Sequence, residues 1–171
     1  MNSSQDNFSV KEAADRFQEL VCQKFDYLEN DHGFRFSKFS LVGGNTSGSE
    51  ARCFYQKDRS TLEIIWYRKQ FDLSAILFLD RPSLSRDEQT FYLEPIIEYL
   101  SHGDITPIVP QLYPRNKTFA SVMDARERLF REGIERPLSY LAGRIQSYWK
   151  TVHRTSDENI KDFHRWYQNH C

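Results

Sequence analysis

Between Glu50 and Asp80 the apolar residues recur every second position, the period of a strand. In the middle run Leu62, Ile64 and Trp66 alternate with Thr61, Glu63, Ile65 and Tyr67, which gives one apolar face and one mixed face. The next run sets Leu73, Ala75, Leu77 and Leu79 against Asp72, Ser74, Ile76 and Phe78. Both of its faces turn apolar towards the end, as in a central strand covered on both sides. A weaker alternation precedes them, with Ala51, Cys53 and Tyr55 opposed to Arg52, Phe54 and Gln56. The joints Lys57-Asp58-Arg59-Ser60 and Arg68-Lys69-Gln70 are too short for crossovers, so the pattern predicts an antiparallel meander.

Upstream, Ser9-Val10-Lys11-Glu12 has the form of a capping box, and Phe17, Leu20, Val21, Lys24 and Leu28 come after it at helical spacing. His32-Gly33 ends that helix, with Gly33 in the left-handed cap position. From Phe34 to Val42 the pattern is again that of a strand. Phe34 and Phe36 share one phase while Phe39 and Leu41 share the other, so a β-bulge or break is expected at Ser37-Lys38. The glycine- and serine-rich stretch 43–49 lacks the lysine and Ser/Thr that end a phosphate loop and reads as a connector.

Downstream, Arg81-Pro82 stops the sheet, and Ser85-Arg86-Asp87-Glu88 reads as a second capping box opening a helix over 85–102. Pro95 must kink that helix or mark a restart. Residues 104–118 carry Pro107, Pro110 and Pro114 with little periodicity. They read as a strap laid over the core, with a functional loop as the alternative. Helical spacing then resumes over 119–169. Val122, Ala125 and Leu129 mark one helix, and Gly133 breaks it. Pro137 sits in the first turn of the next, whose stripe is Leu138, Leu141, Ala142, Ile145, Trp149 and Val152. Ser156-Asp157-Glu158 opens a last helix with Ile160, Phe163 and Tyr167 on its face. No helix alternates regularly with the strands, which argues against a parallel sheet. The prediction is one α+β domain: an N-terminal helix over 8–32, an antiparallel sheet of about four strands over 34–80, and a helical C-terminal half packed on it.

Composition narrows the function by exclusion. A chain of 171 residues can close a core without disulfide or metal support. Its formal net charge of −1, with both signs interspersed, lacks the basic stripe of a nucleic-acid binder. Cys22, Cys53 and Cys171 cannot all pair within one chain and show no C-x-x-C spacing, which fits reduced thiols in the cytoplasm. The N-terminus shows no secretory leader pattern, and no apolar run approaches the ~20 residues of a membrane helix.

Candidate chemistry is sparse. His32 and His102 each precede a glycine at a helix end, where a cation complements the helix dipole. His164, His170 and Cys171 lack the ligand count and spacing of a zinc site, so no metal and no cofactor is expected. Cys53 reads as a small buried hydrophobe. Glu94 and Glu98 share a helical face, and Glu127 with Arg131 is an ordinary surface pair. No catalytic residue emerges. The mixed face of the meander is the surface that stands out: Arg52, Glu63, Tyr67 and Arg68, with Trp66 and Tyr55 close by in sequence. Tyr, Trp and Arg are the side chains that most often anchor protein interfaces.

Three segments carry a resemblance: Tyr27 to Phe34, Leu62 to Leu73 (LEIIWYRKQFDL) and Leu138 to Tyr148 (LSYLAGRIQSY). Their order resembles a loose family of small bacterial α+β proteins that run an N-terminal helix, a meander and a leucine-rich C-terminal helix. Some proteins of that make-up look like immunity proteins or antitoxins, which implies a protein partner and brings no catalytic residues. The expectation is therefore a non-enzymatic cytosolic protein-binding domain that engages neither nucleic acid nor membrane. The competing expectation is a small hydrolase or transferase with its site between the sheet and the 104–118 loop.

Overall fold

The structure is a computed structural model, and it describes residues 3–42, 50–67, 72–101 and 133–170, without the side chains of 3–10 and 170. Two helices open the chain, α1 (Ser3–Lys24) and α2 (Asp26–Asn30). Five strands come next: β1 (Arg35–Val42), β2 (Glu50–Lys57), β3 (Ser60–Tyr67), β4 (Asp72–Phe78) and β5 (Thr90–Tyr92). Helix α3 (Leu93–Leu100) continues directly from β5, and α4 (Glu135–Arg154) and α5 (Asp157–His170) complete the described fold. The sheet is antiparallel throughout, in the order β1-β2-β3-β4-β5. The α+β class is as the sequence predicts, with five strands rather than about four. Among the described residues no helix is long and apolar enough to cross a membrane.

The helix expected over 8–32 begins earlier, at Ser3, and is broken at Phe25. Phe25 still donates to the Val21 carbonyl at 2.9 Å, but Leu28 then bonds back to Phe25 as the axis turns. Phe25 and Leu28 on either side of the break are both fully buried. Gly33 has φ +71°, the left-handed conformation expected of it, and turns the chain so that Phe34 donates to the Leu28 carbonyl at 3.0 Å.

The bulge falls where the phase slip placed it. The β1–β2 register jumps between Phe36, opposite Tyr55, and Lys38, opposite Phe54. One extra residue in β1 brings Phe36 and Phe39 onto the same side of the sheet, and both pack against the core. At the β2–β3 hairpin Asp58 takes φ +51°, a conformation that aspartate tolerates better than most side chains.

The segment 85–102 departs from its predicted helix. Ser85 and Glu88 do make the capping pair, with the Ser85 amide donating to Glu88 Oε2 at 2.7 Å, but the pair opens a single turn that leads straight into β5. Phe91 enters the core opposite Leu77, and three residues are too few to show alternation in sequence. The helix starts only at Leu93. Pro95 thus occupies the first turn, where a missing N–H breaks no intrahelical bond. The stretches 104–118 and 119–132 lie outside the described residues.

Every described helix packs on one side of the sheet. Phe17, Leu20 and Val21 of α1 meet Cys53, Tyr55, Leu62 and Ile64; Leu93, Ile96 and Ile97 of α3 and the predicted stripe of α4 complete the same cluster. Each such side chain contributes about 1.5–3 kcal/mol on burial. Polar ends are tied to backbone: Tyr27 donates to the Ala142 carbonyl at 3.3 Å, and Tyr55 to that of Val21 at 3.4 Å. This arrangement leaves the mixed side of the meander facing away from all the described helices.

Candidate functional site

Strand pairing decides which residues share the mixed side. Across β1 to β4 one row is Val42, Glu50, Tyr67 and Asp72, the next is Ser40, Arg52, Ile65 and Ser74, and the third is Lys38, Phe54, Glu63 and Ile76. Tyr92 on β5 extends the third row and is 45% exposed. Ile65 at the centre is fully buried yet outside the main core cluster, so it forms a separate apolar floor.

Arg52 organises this side. Its Nη1 donates to Glu63 Oε1 at 2.6 Å and its Nε to Glu50 Oε2 at 2.9 Å, with Nη2 on the same Glu50 oxygen. Desolvation alone would make the guanidinium easier to deprotonate. The hydrogen bonds to Glu50 and Glu63 outweigh it and hold the group above its ordinary value. The Tyr67 phenol is raised, by partial burial first and then by Tyr92 and Glu50. Lys38 Nζ lies 4.5 Å from the centroid of the Phe54 ring, a cation–π contact.

Of the five residues expected to form the site, the structure brings together Arg52, Glu63 and Tyr67. Trp66 does not join them. It shares the parity of Leu62 and Ile64, lies on the helix side, and stacks on Phe17 with centroids 5.7 Å apart. Tyr55 is likewise a core residue, against Phe36. Arg68 lies outside the described residues. Sequence reasoning missed Glu50 and Tyr92. Glu50 was findable, because it stands two residues before Arg52 and so on the same face; Tyr92 was not, because its strand reads as helix.

The other candidates find structural roles. The His164 ring sits against both Phe91 and Phe163 with Nε2 3.2 Å from the Glu88 carbonyl. Burial pushes the Cys53 thiol up, which disfavours the nucleophilic thiolate. Glu94 is exposed, and His102 and the Glu127–Arg131 pair lie outside the described residues. Among the described residues no group of three His, Cys, Asp or Glu could hold a metal.

On the mixed side itself, both carboxylates accept from one guanidinium whose Nε, Nη1 and Nη2 are all engaged. No nucleophile with an adjacent base is assembled there among the described residues. The mixed side is thus a pre-set polar cluster beside aromatic and aliphatic side chains. The chain matches no family model, no curated protein and no solved structure, so its functional reading rests on its own residues.

Proposed function

We propose that the chain is a non-enzymatic cytosolic protein-binding domain of the immunity or antitoxin type, and that it binds through the mixed side of its sheet. The observation that carries this reading is Arg52 braced between Glu50 and Glu63, next to Tyr67 and Tyr92. An arginine already fixed by its own neighbours loses little side-chain freedom on binding, which lowers the cost of association. Around Tyr67 the carboxylates of Glu50 and Glu63 share one cation among the described residues, Arg52, while Arg35 and Lys38 sit on the β1 edge. The partner that fits is a protein presenting basic side chains to this acidic end and an apolar ridge to Phe54, Ile76 and Tyr92.

The test is capture from lysate of the native host by the wild type, by an Arg52→Glu/Tyr92→Ala variant, and by an Arg165→Ala variant altered on α5. A single stoichiometric protein held by the wild type and Arg165→Ala but lost from the double variant supports the proposal. A partner retained by all three places binding elsewhere. Absence of any partner favours the enzymatic alternative.

A further inference from the structure

A second feature stands apart from the mixed side. Between the end of α2 and the last turns of α4 lies a cleft of roughly 610 Å³. One wall is Gln146, Trp149, Lys150, His153 and Arg154, spaced so that all fall on one stripe of α4. The facing wall is Asp31 and His32. Trp149 is only 2% exposed and lines the cleft, with the His32 ring 5.8 Å and the His153 ring 5.9 Å from it.

The helix ends here would ordinarily repel an anion, because their carbonyls point outward with partial negative charge. Cations from the sheet side of the molecule meet carbonyls just past α2 and at the end of α4. Lys57 Nζ donates to the His32 carbonyl at 2.7 Å. Arg81 donates to the carbonyls of Thr155 at 2.6 Å and His153 at 3.1 Å, and to Asp157 at 2.7 Å. Lys150 and Arg154 remain, exposed on the α4 stripe, with no ion pair among the described residues. The lining of the cleft therefore carries Lys150 and Arg154 against Asp31, with Lys57 and Arg81 engaged nearby on backbone carbonyls.

We infer that this cleft binds a small ligand carrying a phosphate group, whose oxygens take hydrogen bonds from Lys150, Arg154 and the rings of His32 and His153. A phosphate fills only part of this space, and clefts of this size are typical of small-molecule sites. An organic group attached to the phosphate has room against Trp149 and the Gln146 amide.

The surrounding field agrees. Burial holds His153 below its ordinary value, and Lys57, Arg81, His32 and Arg154 all add to the effect. Burial also lowers His32, with Asp31 opposing and Lys150 and Lys57 reinforcing. A bound dianion reverses the sign of that field and raises both. Binding therefore weakens as pH rises through the histidine range, and it weakens again on acidification once the phosphate, whose second pKa is about 6, loses its dianionic form.

The test is a titration followed by the imidazole signals of His32 and His153 in heteronuclear NMR at constant ionic strength. The probes are inorganic phosphate, adenosine 5′-monophosphate and, as the uncharged control, adenosine. Both phosphate compounds are expected to shift the two rings and raise their midpoints, and adenosine is expected to do neither. Lys150→Gln/Arg154→Gln, at two exposed positions, is expected to weaken binding about tenfold while leaving the urea midpoint and the ligand-free signals away from the two rings unchanged. Tighter binding of the nucleotide assigns the rest of the cleft to the organic group; equal binding confines recognition to the phosphate. The inference fails if neither probe shifts the rings by about 10 mM, beyond the millimolar end of weak affinity. It also fails if the double variant binds as the wild type does.

Discussion

Arg52 passes over the residue directly across the strand pair, Ile65, and bonds diagonally to Glu63 at 2.6 Å. The guanidinium thus spans two rows of the sheet and keeps Glu50 and Glu63 on either side of itself. Arg52 is 30% exposed and Glu63 16%, so water screens the cluster only in part. Arg52→Ala leaves two carboxylates near each other with no cation between them. The expected cost is about 2 kcal/mol, between the limits for exposed and buried pairs. In a double-mutant cycle on urea midpoints, adding Glu63→Gln to Arg52→Ala should recover part of that loss.

Trp66 belongs to the helix side through its contact with Phe17. Trp66→Phe keeps a ring against Phe17 and gives up only part of the buried surface. Stability should stay within about 1.5 kcal/mol of wild type, whereas Trp66→Ala should cost about 3 kcal/mol through the cavity it opens. Equal losses in the two variants, measured by urea denaturation, would mean that the ring contributes nothing by packing there.

The bulge in β1 is a matter of parity. Deleting Ser37 removes the extra residue and forces either Phe36 or Phe39 onto the mixed side. The deletion should destabilise the fold by about 2–3 kcal/mol, the loss of one core aromatic, in chemical denaturation. Replacing Ser37 by Ala keeps the residue count and should change little.

Asp157 gives a pH dependence of known sign. A hydrogen bond from Ser83, then one from Arg81, holds its carboxyl below the ordinary aspartate value. A carboxyl lowered on folding contributes stability above its unfolded value, and that contribution is lost as pH falls through its folded value. The urea midpoint should therefore drop on acidification below about pH 4, the ordinary aspartate range. It should drop less steeply in Asp157→Asn, which has already lost the contribution at neutral pH.

Much of the scaffold is legible in the residue pattern alone. Strict alternation in β3 and β4 places Leu62, Ile64, Leu73 and Leu77 inward, and the slip between Phe36 and Phe39 locates the bulge. The stripe from Leu138 to Val152 is buried at every predicted position. Other features escape for physical reasons. The three residues of β5 are shorter than the period needed to recognise a strand, and the capping pair before it serves a turn just as well. The break at Phe25 has no glycine or proline to announce it, and Phe25 and Leu28 keep the i,i+3 spacing of a continuous helix. Grouping Trp66 with Tyr67 rests on adjacency and residue type, although parity with Ile64 already assigns Trp66 to the core. The phosphate cleft is invisible in sequence too, since only tertiary packing brings His32 to Trp149, which already shares a helix face with His153.

The most direct test of the central claim is site-specific photocrosslinking in the native host. A photoreactive phenylalanine analogue is placed at position 92 on the mixed side or, as a control, at position 165 on α5. Binding through the sheet predicts one protein crosslinked from position 92 and lost when Arg52→Glu is added, with nothing from position 165. Crosslinks from position 165 alone, or none from position 92 while a partner co-purifies, would contradict it.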